Sequence, residues 1–534
     1  MTTPRVAPVV VLLLLAVPSA PAARQRPSAR LATTARVTID DLVRRGSGRS
    51  ATPTSCSDAV FLRRAYLDVI GTLPTAEEAR AFLTDRQADK RRALIDRLLE
   101  RDEYADYWAM KWSDLLRVKS EFPINLWPNA VQAYHRWIRA SIRDGVPYDR
   151  FARELLTESG SNFRVPQVNF YRAVQGRDPA VVGRAVALTF MGTRAEQWPK
   201  ERLAGMAVFF SRIGYKATGE WKEEIVFFDE ATPAAARSAT FPDGTVVRLP
   251  ADRDPREVFA GWLTAPGNPW FARSVSNRVW SWLMGHGIIH EPDDIRADNP
   301  PANTELLSYL ERELIASHYD LKHLYRLILN SGTYQQATES AADAAAAEYS
   351  RYTLRPLDAE VLIDALCQIT GTTEQYSSAI PEPFTFMPQE QRAIALADGS
   401  ITSTFLETFG RSPRDTGLEA ERTPKPTASG RLSLLNSSLI QRKIEQGPAL
   451  QALLGRGDVR QVVTGLYLTI LSRFPTDDEL KMATEYGRAR MEAAPAPAAA
   501  AEAGRPPRPG ANRRGAVVDL AWALINSAEF QYRH

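Results

Sequence analysis

Four carboxylates crowd one short stretch of the chain, residues 291–303, which reads EPDDIRADNPPAN. Glu291, Asp293, Asp294 and Asp298, with Asn299 beside them, are hard oxygen donors of the kind that hold calcium. Their spacing is not that of an EF-hand loop. Arg278 and Arg296 are close enough in sequence to neutralise them, so helix capping and ion pairing are the favoured account and calcium the alternative. His286 and His290 stand four apart just upstream, but flanking glycines break the helix that would align them, and HGIIH is not the H-E-x-x-H zinc pattern. A second charged stretch, residues 409–422, reads FGRSPRDTGLEAER. Arg411, Arg414 and Arg422 could grip a carboxylate, sulfate or phosphate with paired N–H donors, with Glu421 beside them. Ion pairs that pin the loop to its own domain compete with that role and are favoured over it. Asp415 is the one acid next to Arg414.

The elements around these groups are helical. Asp254, Pro255 and Glu257 mark one helix start: a capping carboxylate, a proline that has no N–H to leave unpaired, and an acid in the first turn. Asn268 and Pro269 repeat the device for a helix that runs to Met284. Phe271, Val275, Val279, Trp282 and Leu283 fall on one face at helical spacing. Arg273, Asn277 and Trp280 lie toward the other, and a tryptophan there means that this face is covered too. Asn277, Arg278 and Trp280 are therefore candidate binding residues. The helix, the acidic turn and the arginine loop are expected to meet in space, and any functional site to lie at that meeting.

Elsewhere Thr75–Glu78 spells a capping box, and helical periodicity runs through 91–99, 104–118, 131–142, 151–156, 181–191 and 200–210. EIVFF at 224–228 and TVVRL at 245–249 are strand-like, with Asp243-Gly244 as a hairpin turn. Further helices are expected over 355–366, 432–444, 459–471, 477–490 and 517–530. Residues 493–512 are Ala/Pro/Arg/Gly low-complexity sequence.

The 534 residues are 44% hydrophobic and 24% charged, an ordinary globular balance. The net charge of +3 argues against a dominant nucleic-acid surface. The N-terminus has Arg5, an apolar run over 9–17 and the pattern Ala20-Pro21-Ala22, a secretory signal peptide. Loss of residues 1–23 removes Arg5 and takes the charge from +3 to +2. No run is long enough to span a bilayer comfortably. The two cysteines, Cys56 and Cys367, read as one exposed and one buried thiol, in preference to a disulfide, and are too few for an iron–sulfur cluster. Eleven tryptophans fit core packing first and sugar-binding platforms second.

NPWFARSVSNRVWSWLMGHGIIHEPDDIRADNPPANTELLSYL (268–310) resembles the core of a planctomycete-specific C-terminal domain of unknown function. FLETFGRSPR (405–414), SLLNSSLI (433–440) and DLAWALINSAEF (519–530) resemble other parts of it. YLDVIGTLPTAEEARAFL (66–83) and YWAMKWSDLLR (107–117) resemble the cytochrome-c-associated domain that usually precedes it. That resemblance implies a C-x-x-C-H haem-attachment motif after F-x-G-x-R. Here only Ala195, Glu196 and Gln197 separate Arg194 from Trp198. Both thiols are missing, so no c-type haem is expected.

The expected protein is mainly α, a multi-helical two-domain protein with a small β-hairpin element between the domains. The expected order is signal peptide 1–23, flexible arm 24–36, cytochrome-associated-like domain 37–222, β element 223–250, C-terminal domain 251–492, low-complexity insertion 493–514 and closing helix 515–534. The leading functional expectation is an exported, non-catalytic binding or scaffold protein for a protein or polysaccharide outside the cytoplasm, periplasmic or extracellular. The alternative is an extracytoplasmic enzyme on polysaccharide that uses the turn carboxylates and the loop arginines, since glycoside hydrolysis needs two facing carboxyl groups. No G-x-S-x-G, P-loop or dinucleotide-binding motif is present.

Overall fold

Helices account for most of the chain, and their ends sit where side chains can cap them. Thr75 and Glu78 close a reciprocal capping box on the helix Ala76–Thr84. Asp254 accepts from the Arg256 N–H at the start of Pro255–Leu263, and Asp320 accepts from the His323 N–H at the start of Leu321–Leu329. Asn268 accepts from the N–H groups of both Trp270 and Phe271. Its helix accordingly spans Phe271–Met284, three residues later than the sequence suggested, and ends at Gly285 with φ 87°. Only a glycine takes that left-handed backbone without strain. The structure is a computed structural model that describes residues 38–47, 54–232, 238–250, 252–338, 348–423, 425–454, 458–492 and 511–534. The signal peptide, the arm and most of the low-complexity insertion lie outside the described residues.

The mainly α class is what the structure has, with small antiparallel sheets. Glu224–Phe228 is the middle strand of three, between Gly160–Ser161 and Ile213–Ala217. Asp243-Gly244 does turn a hairpin, but its strands are Ser238–Thr240 and Val246–Arg248. The two strand-like segments of the sequence thus belong to different sheets. Arg355-Pro356, read from sequence as the start of a helix, instead pairs with Tyr532–Arg533. Proline disfavours the helical conformation of the residue before it, and the helix waits until Ala359. The helix expected over 432–444 is two, Ala428–Asn436 and Ser438–Gln446, hinged at Ser437.

An aromatic core holds the helices together. Trp108 packs on Tyr325 with ring centroids 4.4 Å apart, Trp112 on Trp282 at 5.9 Å and Tyr148 on Phe271 at 4.7 Å. Trp108, Trp112, Trp280 and Trp282 are all buried, so the core account holds for these tryptophans. Thr38–His534 make up one compact unit. Buried guanidinium groups tie its sequence-distant parts together. Arg63 donates to the carbonyls of Ile470 at 2.8 Å and Phe530 at 2.7 Å, and Arg64 donates to that of His534 at 3.0 Å. Both cysteines are free thiols, and their expected environments are reversed: Cys56 is buried and Cys367 is partly exposed. Cys56 is withdrawn because its N–H bonds the Gln335 carbonyl and its own carbonyl accepts from Arg91.

Candidate functional site

Lys111 and Asp114 stand three apart on the helix Asp102–Leu115, and Asp358 and Glu360 open the helix Ala359–Thr370. These two helices receive the arginines of the 409–422 loop. Arg422 bonds Glu360 through both terminal nitrogens, at 2.6 and 3.1 Å, and Asp114 at 2.8 and 2.9 Å. Arg414 bonds Asp114 at 2.9 Å, and Arg411 reaches Glu360 at 3.3 Å and the Asp398 carbonyl at 3.0 Å. Arg533 and Lys111 hold Asp358 at 2.8 and 3.0 Å. One layer further in, Asp68 accepts from Tyr334, Tyr352, Arg355 and Arg533. Burial alone would raise the Asp358 and Glu360 carboxyls. The surrounding cations outweigh it and hold both below the ordinary carboxylate range.

Helix, turn and the 409–422 stretch are in contact, but Arg411 and Arg414 are taken up elsewhere. Their acids, Asp114 and Glu360, lie in helices remote in sequence. The turn has its own cations. Asp293 is buried against Arg278 at 2.8 Å, Arg296 bonds both Asp294 and Asp298 at 3.1 Å, and Glu291 lies 3.5 Å from Arg194. Arg278 also donates to the carbonyls of Leu188 and Thr189. Among the described residues no group of three or more His, Cys, Asp or Glu is arranged to hold a metal ion. Turn and loop do touch, but at Glu419, whose N–H donates to Asp293 at 2.7 Å. Burial and the neighbouring Asp293 carboxylate push the Glu419 carboxyl up to about 8.

The remaining candidates are also spent internally. Asn277 uses both atoms of its amide on the backbone of Ile289, at 2.9 Å each. Trp280 is fully buried. Glu421 accepts from the Thr416 N–H at 2.8 Å. The named charges are thus neutralised within the chain, in the interior for Asp114, Glu360, Asp293 and the arginines they hold and nearer the surface for Glu291, Asp298 and Arg296. This pairing fixes the loop and the turn and offers a ligand no free donor pair.

A different surface has free groups, and sequence reasoning passed over it. Phe122 is 85% exposed, Trp221 70%, Phe384 52% and Phe386 72%. Trp127 joins them, with its ring 6.4 Å from that of Trp221 and 5.4 Å from that of Phe384. Beside this ridge lies a cleft of about 450 Å³ whose walls include Phe122, Asn125, Arg172, Arg177, Tyr215 and Lys222. A second cleft of about 440 Å³ shares Arg172, Arg177 and Lys222 with it and adds Trp221 and the acids Glu220, Glu223 and Glu224. Glu224 pairs with Arg172 at 3.1 Å and Arg177 at 2.7 Å. The rings come from three stretches far apart in sequence, so no local pattern marks them. A larger apolar groove of about 990 Å³ lies among the helices Val459–Leu471, Asp477–Glu492 and Ala511–Ile525.

Residues 38–194 match the family model PSCyt2, protein of unknown function (DUF1549), and residues 255–487 match PSD1, protein of unknown function (DUF1553). The chain carries a PSCyt2 domain followed by a PSD1 domain. No curated protein and no solved structure matches it. The aromatic ridge of this PSCyt2–PSD1 protein draws on both matched regions and on the stretch between them: Phe122 and Trp127 on the first, Phe384 on the second, Trp221 and Lys222 between. At the end of the PSCyt2 match, Ala195–Gln197 form a single 3₁₀ turn, and the Trp198 ring packs 4.1 Å from the Arg202 guanidinium.

Proposed function

We propose that this PSCyt2–PSD1 protein is an exported, non-catalytic binding protein that holds a polysaccharide outside the cytoplasm. The exposed ridge Phe122–Trp127–Trp221–Phe384 supports this reading most directly. Soluble surfaces seldom carry clustered large aromatic rings without a partner, and exposed rings can each take the apolar face of a sugar, here at different inclinations because Trp127 is turned 82° from Trp221 and 59° from Phe384. The signal-peptide pattern at residues 1–23 supports export. The enzyme alternative finds no such support, because each turn carboxylate it would use is paired with an arginine, Asp293 in the interior with Arg278 and Glu291, Asp294 and Asp298 nearer the surface with Arg194 and Arg296. The test is electrophoresis through gels that contain dissolved polysaccharides. Wild-type protein is retarded by at least one of them, and the Trp221→Ala/Phe384→Ala double variant runs as in a plain gel with its melting temperature unchanged. Equal retardation of the two proteins would refute the ridge as the contact. Mature protein whose N-terminus is still Met1 would refute export.

A further inference from the structure

We propose that the ligand held by this ridge is an acidic polysaccharide, and that the cleft beside the ridge binds its carboxylate or sulfate groups. The inference rests on the binding function argued above and adds the chemical class of the ligand.

Three observations carry it. First, the ionisable walls of the cleft next to Phe122 are cationic apart from its tyrosines: Arg172, Arg177 and Lys222 face it, and no aspartate or glutamate does. Second, in the cleft at Phe122 the balance stays positive after internal pairing, the further acids Glu220 and Glu223 lying on the neighbouring cleft at Trp221. Glu224 is the one acid bonded to Arg172 and Arg177, so one carboxylate offsets two guanidinium groups and leaves Lys222 over. The Arg177 side chain remains 59% exposed while paired, with donors still turned to solvent, and its guanidinium lies 4.4 Å from the centre of the Tyr215 ring. A guanidinium stacked on a ring is pre-oriented for a two-point grip on a planar or tetrahedral anion. Third, cations and rings are interleaved. The Lys222 ammonium lies 5.5 Å from the centre of the exposed Trp221 ring. Lys222 and the cleft residue Asn125 both have left-handed backbones, at φ 61° and 64°, conformations that persist only when the surroundings enforce them.

A neutral sugar could take only hydrogen bonds from these cations, with no ion pair to offset the water stripped from them. A carboxylated or sulfated sugar uses both features, with its ring face on Trp221 or Phe122 and its anion on Arg177 and Lys222. Single-stranded nucleic acid shares that pairing of rings with cations. The chain's small net charge and its export pattern favour the glycan.

The test measures binding of the full-length mature protein to alginate, which supplies carboxylates, to dextran sulfate, which supplies sulfates, to unmodified dextran and to poly-dT. Variants are Trp221→Ala and the pair Arg177→Gln/Lys222→Ala, each with its thermal melt recorded. The expected result is binding to alginate or dextran sulfate that weakens with added salt and is at least about tenfold tighter than to dextran. The charge variant should lose about tenfold on the charged polymers and nothing on dextran, and Trp221→Ala should lose affinity for all three polysaccharides. The better polymer of the two charged ones distinguishes carboxylate from sulfate recognition. Equal affinity for dextran and its sulfate overturns the inference while the polysaccharide-binding reading stands. Binding to none of the three overturns both, as does a preference for poly-dT. A charge variant that binds dextran sulfate or alginate as wild type does removes the cleft from the proposal.

Discussion

Arg414 donates its Nε–H to Asp114 at 2.9 Å, joining residues 300 positions apart inside the protein. The same carboxylate takes Arg422, which passes the connection on to Glu360. Two acids and three arginines therefore form one unit, and removing either acid strands buried guanidinium groups.

Glu360→Ala leaves Arg411 and Arg422 without their shared carboxylate. Breaking a buried pair from one side costs about 3–5 kcal/mol, so chemical denaturation should show a loss of that order. A Glu360→Ala/Arg411→Ala double variant should lose less than the sum of the two single ones, because they share the bond.

The acidic turn should behave in two halves. Asp294 shares the half-exposed Arg296, so Asp294→Ala should cost about 1 kcal/mol or less. Asp293, buried against Arg278, should cost several times more on removal. With arginines as its cations, the turn needs no metal. A chelator should leave the melting temperature of the wild-type protein unchanged, and a chelator-induced drop that Asp294→Ala abolishes would instead place calcium there.

Glu419 should give the melting temperature a slope on the alkaline side. A carboxyl raised from 4.5 to about 8 binds its proton more tightly folded than unfolded. Its contribution is complete below about pH 4.5 and is lost as the pH climbs through 8. Glu419→Gln should flatten the decline of melting temperature between pH 5 and about 8.5. Asp358 and Glu360 act oppositely: held below their ordinary range, they stabilise the neutral protein and release that stability as the solution is acidified.

Purified protein should carry no covalent haem. Ala195, Glu196 and Gln197 offer no thiol between Arg194 and Trp198. A haem stain that survives denaturing electrophoresis would contradict this.

Most helices were legible because their signals are local. The Asp254 cap, the Thr75 box and the Gly285 stop need only a few neighbouring residues, and each stands where the sequence put it. The acids that receive Arg411, Arg414 and Arg422 were harder to find. Asp114 and Glu360 are buried charges on helices that also carry other charged residues, so nothing in the local pattern sets them apart or names a partner. The strand Ile213–Ala217 was missed because its sequence, IGYKA, has neither a clear alternation nor a turn before it. The ridge was invisible for a different reason. An exposed phenylalanine and a buried one look alike in sequence, and Trp127 meets Trp221 and Phe384 only after folding.

The carbonyls that Arg63 and Arg64 bind set a timetable for the cell. Arg63 leaves the ribosome 467 residues ahead of Phe530. At about 5–20 residues per second, that is a wait on the order of half a minute to a minute and a half. Through that interval the helix Asp58–Val69 lacks part of the acceptor set of two guanidinium groups that the finished protein keeps from water: Arg64 meets the Tyr334 and Gln336 carbonyls earlier, but the Phe530 carbonyl for Arg63 and that of His534 for Arg64 come last. Collapse around them before then would bury donors still lacking partners, so the packing of this helix is completed only when the last strand arrives. The last residues to be made thus complete the burial of one of the first helices.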